Sequence, residues 1–123
     1  MNDFLKKTII ETIKKGNIEL KRDWGMDTYF VLDAAGKPLM QYVNGYDSGM
    51  YSLTINHKTI ANIEWYENAK KPMTKEQSDM FEILNALCNR YTELAKLRHA
   101  QQAMTAQEQN LVNFLTGKDQ KVI

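Results

Sequence analysis

A single cysteine, Cys88, is all the thiol chemistry that this chain of 123 residues offers. That excludes an internal disulfide and any zinc site built from several cysteines. Set in an apolar helical stretch, Cys88 reads as a small buried hydrophobe. Histidine is nearly as scarce: His57 falls in an expected turn and His99 at an expected helix end. No spacing joins the two to carboxylates that would complete a metal site, so neither metal nor cofactor is expected. A glycine-rich phosphate loop, a G-x-S-x-G elbow, H-E-x-x-H and C-x-x-C are all missing. Their absence removes the commonest nucleotide-binding and hydrolase solutions and leaves an enzyme only a dispersed Asp/Tyr/His site. No apolar run approaches the ~20 residues of a membrane span. The amino-terminal MNDFLKKTIIETIKKG interrupts its apolar positions with lysine, unlike a signal peptide, so a cytosolic protein is expected.

What is present suits a soluble globule: 43% apolar and 25% charged residues. A chain of this size buries about two thirds of its surface on folding, enough for a core without staples. The expectation is one α+β domain over residues 1–117, with residues 118–123 as a frayed tail. The net charge of +1 is unevenly spread. Residues 1–22 and 69–123 are mildly basic. Residues 23–68 hold Asp23, Asp27, Asp33, Asp47, Glu64 and Glu67 against only Lys37 and Lys58. Phosphate contacts dominate nucleic-acid affinity, so nucleic acid is not expected on this segment.

Asn2 or Asp3 can cap a first helix over residues 3–15, with Leu5, Ile9, Ile10 and Ile13 at helical spacing and Gly16 as its stop. The period then shortens to two. Strands are expected at Ile18–Trp24, Thr28–Asp33, Leu39–Val43, Met50–Ile55 and Thr59–Tyr66, joined by turns rich in Gly, Asn and Asp. This is a five-stranded antiparallel meander. Pro72 marks its exit, and Thr74 with Gln77 fits a capping box.

Met80, Leu84, Leu87, Tyr91 and Leu94 then follow a helical stripe, flanked by Phe81 and Cys88. These residues are expected to serve helix packing or a homodimer. From Thr74 to about His99 the helix would measure roughly 39 Å, as long as the domain is wide, at about 35 Å. Thr105 and Glu108 offer a second capping box before Leu111, Val112, Phe114 and Leu115. Either a short final helix starts there, or one helix continues through residues 99–104.

Eight of the twelve aromatic residues lie between Trp24 and Tyr66. Trp24, Phe30 and Trp65 are expected in the core, where their large area counts most. Tyr42, Tyr46 and Tyr51 surround the glycine-rich stretch 44–49 and either pack at the core or form a binding face with Asp47. Asp23 and Asp27 flank a turn beside Trp24. They pair for acid–base work or, more simply, favour turns.

The resulting expectation is a non-enzymatic protein-binding module, an adaptor, chaperone or inhibitor of the kind phages and mobile elements encode, whose acidic aromatic surface meets a basic partner. The alternative is a small-ligand binder with an aromatic pocket between sheet and helix, lined by Tyr29, Tyr42, Tyr51 and Trp65.

Overall fold

Helix α1 (Asp3–Lys15) starts where the Asn2 side chain accepts the Leu5 N–H at 2.7 Å. Lys14 and Lys15 occupy its last turn and favour the carbonyl end of the helix dipole. The computed structural model describes residues 1–64 and 72–116, and only the backbone at 102–107, 109 and 112–116.

Five strands follow: β1 (Asn17–Asp23), β2 (Met26–Leu32), β3 (Pro38–Gly45), β4 (Met50–Ile55) and β5 (Lys58–Glu64). They pair in sequence order, every neighbour antiparallel. Helix α2 (Lys75–Thr116) closes the element order. The α+β class, the five-stranded meander and the long carboxy-terminal helix are those expected. Trp65 and Tyr66, assigned to the core and to strand five, lie outside the described residues, as does the tail 118–123.

Period-two alternation divides the sheet into two faces. One carries Ile18, Val31 and Met40 in one row and Leu20, Tyr29, Tyr42, Leu53 and Ala61 in the next. Against it pack Ile9 and Ile13 of α1 and Met80, Ile83, Leu84 and Leu87 of α2, all buried. Each such side chain contributes about 1.5–3 kcal/mol relative to exposure. Tyr42 is 1% exposed, and its hydroxyl donates to the Met80 carbonyl at 2.9 Å. Tyr51 stacks obliquely on Phe81, with ring centroids 6.0 Å apart. Three residues of the expected stripe, Met80, Leu84 and Leu87, are thus spent on the core, while Tyr91 and Leu94 are half-buried.

The capping box is formed in both directions. The Gln77 N–H donates to Thr74 Oγ1 at 3.1 Å, and the Thr74 N–H donates to Gln77 Oε1 at 2.9 Å. Gln77 Nε2 also donates to the Glu64 carbonyl at 3.3 Å, tying the helix start to the end of β5.

A buried carboxylate locks the helices together. Asp79, 2% exposed, receives Lys6 Nζ at 3.1 Å and Lys75 Nζ at 2.9 Å. Lys6 also reaches Glu82 at 3.1 Å, and Lys75 reaches Asp3 at 3.2 Å.

Three expectations need correction. β1 ends at Asp23, and Trp24 occupies the turn, where it is 90% exposed instead of in the core. Phe30 is half-buried on the opposite sheet face, because its neighbour Tyr29 takes the helix-facing position. Cys88 is half-buried, its Sγ 3.3 Å from the Tyr29 hydroxyl. Of the two alternatives at residues 99–104, the helix continues past His99 without a break, since those residues hold neither Gly nor Pro to stop it.

The chain divides into two units, Met1–Tyr91 and a second beginning at Thr92. The first contains the sheet, α1 and the start of α2.

Candidate functional site

The meander gathers its turns at two ends. One end holds the β1–β2 turn, Trp24-Gly25, and the β3–β4 loop, Tyr46–Gly49. Two-residue turns need backbone of positive φ, and Gly25 supplies it at φ 78°. Gly49 does the same in the second loop at φ 74°.

These two loops are joined. The Gly25 N–H donates to the Tyr46 hydroxyl at 3.1 Å, and the Asp47 N–H donates to the Gly25 carbonyl at 3.1 Å. A Cβ on Gly25 would lie 2.8 Å from Asp47 Cβ, so the glycine is needed for the contact as well as for its φ. The indole of Trp24 and the ring of Tyr46, 55% exposed, are therefore presented from a hydrogen-bonded pair of loops. Met26 and Met50, the residues paired to Asp23 and Gly45 at the strand ends, are also exposed.

Asp23, Asp27 and Asp47 share this end. Asp27 pairs across the ladder with Arg22 on one side and Asn44 on the other, and Asp23 lies 3.9 Å from Lys21 Nζ. The Asn44 side-chain oxygen is the buried polar side-chain atom without a hydrogen-bond partner among the described residues. Leaving such a group unpaired costs about 1–3 kcal/mol.

Of the six expected binding residues, the fold brings Tyr46, Asp47, Asp23 and Asp27 to one exposed end. Tyr42 and Tyr51 stand in the core instead. Burial raises the Tyr42 hydroxyl above its ordinary pKa, and burial followed by the Cys88 contact does the same for Tyr29. Neither hydroxyl ionises at neutral pH. With Tyr29, Tyr42 and Tyr51 all packed against α2, the aromatic pocket expected between sheet and helix is filled by their own rings as far as these three are concerned.

Exposed Trp24 was beyond reach of composition, which favours tryptophan in cores. Its position beside Gly25, where a strand period ends, was the available signal.

Among the described residues there is no group of three His, Cys, Asp or Glu that could hold a metal, and no helix long and apolar enough to cross a membrane. Comparison with protein-family models, with curated proteins and with solved structures found no match.

Proposed function

We propose that this chain is a small cytosolic protein-binding module, without catalytic activity, that grips a basic segment of a partner protein with the Trp24–Tyr46 end of its sheet. The observation that carries the reading is a tryptophan 90% exposed on a turn hydrogen-bonded to a second aromatic loop. Water opposes an exposed indole, whereas a partner that covers it gains a large apolar contact. Trp, Tyr and Arg dominate binding hot spots for that reason. Rigid loops lower the ordering cost of association. Asp23, Asp27 and Asp47 supply the complementary charge, and the two rings suit lysine or arginine heads through cation–π contact.

Titration with arginine- and lysine-rich peptides, followed by tryptophan fluorescence and calorimetry, tests this directly. Saturable binding that weakens with salt and drops at least tenfold in Trp24→Ala is the expected result. Equal binding by Trp24→Ala, or none to any basic peptide, would refute it.

Self-association through α2 accompanies this reading. Tyr91 and Leu94 are half-buried, and Leu97 and Leu111 are 50% and 59% exposed at a fourteen-residue separation, two heptads apart. Sedimentation of Leu97→Glu beside the parent chain separates a dimer from a monomer.

A further inference from the structure

At the opposite end of the sheet, an apolar cleft of about 260 Å³ opens between α1 and the ends of β3 and β4. Leu5, Thr8 and Ile9 form one wall, and Leu39, Met40 and Ile55 the other. The α1 residues recur at i, i+3 and i+4, so a single helix face lines it. The Thr8 hydroxyl already donates to the Phe4 carbonyl at 2.9 Å, which makes this wall less polar than its sequence suggests.

Asn56 reaches the mouth and also borders a smaller recess of about 50 Å³ that includes Pro38 and His57. Asn56 and His57 form the β4–β5 turn, with φ of 50° and 65°. Left-handed backbone costs a residue with a side chain roughly 1–2 kcal/mol, least for Asn and Asp. Gly would avoid that cost, so the turn retains an amide at the cleft and an imidazole at the smaller recess beside it at the expense of strain.

Two lysines neighbour the lining residues, and Lys58 pairs across the ladder with Ile55. Lys58 follows His57 directly, and Lys37 precedes Pro38, both exposed. The acidic neighbour, Asp33, has its Oδ1 occupied by the N–H groups of Ala35 and Lys37, each at 2.9 Å.

We infer that this cleft binds a compact amphiphilic anion, a medium-chain carboxylate. Its hydrocarbon body lies between α1 and the ends of β3 and β4, and its carboxylate lies toward Lys37, Lys58 and the Asn56-His57 turn. The volume sits just under the range of small-molecule sites, about 300–1,000 Å³, which selects a short chain over a membrane lipid. Apolar walls supply affinity and two lysines select the sign of the head group. This site is separate from the Trp24–Tyr46 end and does not depend on the protein-binding reading.

The test uses octanoate as the probe, with octanol and octylamine as head-group controls, on the full chain. Octanoate is expected to raise the melting temperature and to shift the methyl resonances of Leu39, Met40 and Ile55 in a saturable way. Thr8→Trp fills the cleft from an exposed helix position and is expected to abolish those shifts without loss of folding. Lys37→Glu and Lys58→Glu are each expected to weaken octanoate about threefold, the scale of a solvent-exposed charge contact. Three outcomes overturn the inference: octylamine or octanol binding as well as octanoate, methyl shifts confined to residues outside the cleft, or Thr8→Trp changing the oligomeric state in place of octanoate binding. Because Trp24 lies at the other end, octanoate binding by Trp24→Ala separates failure of this site from failure of the protein-binding one.

Discussion

The two ends of the sheet solve the same problem with opposite means. Each must turn a pair of hairpins, and each needs left-handed backbone to do so. At the Trp24 end the positive φ values fall on Gly25 and Gly49, and what is costly is exposed apolar surface. At the other end Gly36 serves one turn, but Asn56 and His57 serve the second, and what is costly is backbone strain beside an open apolar cleft. Charge leans the same way: Asp23, Asp27 and Asp47 outnumber Lys21 and Arg22 at the first end, and Lys37 and Lys58 outnumber Asp33 at the second. A nearly neutral chain thus carries an acidic aromatic end and a basic apolar one. Net charge alone conceals both.

Loss of the Asp79 clamp gives the largest expected effect and should fall on one end only. Asp79→Asn leaves Lys6 and Lys75 without their shared buried partner while preserving side-chain volume. Removal of one member of a buried ion pair costs 3–5 kcal/mol when both charges are enclosed. Here both ammonium groups retain access to water, so about 2–3 kcal/mol is expected in urea denaturation. Hydrogen exchange should rise in α1, the wall of the cleft, and stay unchanged at the Trp24-Gly25 turn.

The same variant carries a pH signature. Burial pushes the Asp79 carboxyl up, but hydrogen bonds from Lys75 and Lys6 outweigh it and hold its pKa below the ordinary aspartate value. A depressed folded pKa means that the clamp's contribution is complete above the unfolded value, about 3.9, and disappears as pH falls through the folded one. The parent chain should therefore lose stability below about pH 4. Asp79→Asn should show a shallower loss over that window.

Gly25→Ala attacks the other end. A methyl group there meets Asp47 Cβ at 2.8 Å and is held at a φ of 78°. The conformational penalty alone is about 1–2 kcal/mol, and displacement of the Tyr46 loop adds to it. A loss of about 2 kcal/mol is expected in denaturation, together with faster exchange at the Asp47 amide and no change in octanoate binding. Equal damage at both ends would mean that the sheet transmits strain along its length and that the ends are not independent.

Most of this architecture is legible in the chain because local signals and global packing agree. The switch from period 3.6 to period two after Gly16, the Thr74/Gln77 capping box and the Met80–Leu87 stripe all state what the fold then does. The failures share a cause. Trp24 continues the alternation of Ile18 and Leu20, but a hairpin needs two residues for its turn, and Gly25 takes the second place and Trp24 the first. Period alone does not say where a strand stops. Tyr42 and Tyr51 flank a glycine-rich loop in sequence, yet the pleat turns both toward α2, while Tyr46, one residue past the last β3–β4 pair, Gly45 with Met50, remains outside. The cleft was hidden altogether, since it depends on how α1 lies over Met40 and Ile55, and no pattern within either element records that.

His57→Gly sharpens the contrast from the strained end. Relief of left-handed strain at φ 65° gains about 1 kcal/mol, and the greater freedom of glycine in the unfolded chain takes back part of it. A net stabilisation of about 0.5 kcal/mol is expected, measured as a rise in the urea midpoint at unchanged slope. If octanoate affinity falls while stability rises, the imidazole is retained for binding. If stability falls, the imidazole makes a folded-state contact that offsets its backbone cost.

Trp24→Ser gives the smallest effect on stability and the most decisive one on function. A tryptophan removed from a core costs about 3–5 kcal/mol through lost contacts and a residual cavity. Trp24, 90% exposed, has almost no contacts to lose, and surface changes of this kind stay within about 0.5 kcal/mol. The Trp24 indole contributes nothing to the hydrogen bonds between the two loops, which use the Gly25 backbone and the Tyr46 hydroxyl. Denaturation of Trp24→Ser should therefore overlay that of the parent chain, with Asp47 amide exchange unaltered, while affinity for a basic peptide falls at least tenfold. Tyr46→Phe should behave in the reverse manner, keeping a ring but releasing Gly25 N–H, so that loop exchange quickens and peptide affinity declines less. A loss above about 1.5 kcal/mol in Trp24→Ser, well outside the surface range, would place the indole among structural residues, and the acidic end would then differ from the basic end in sign of charge alone.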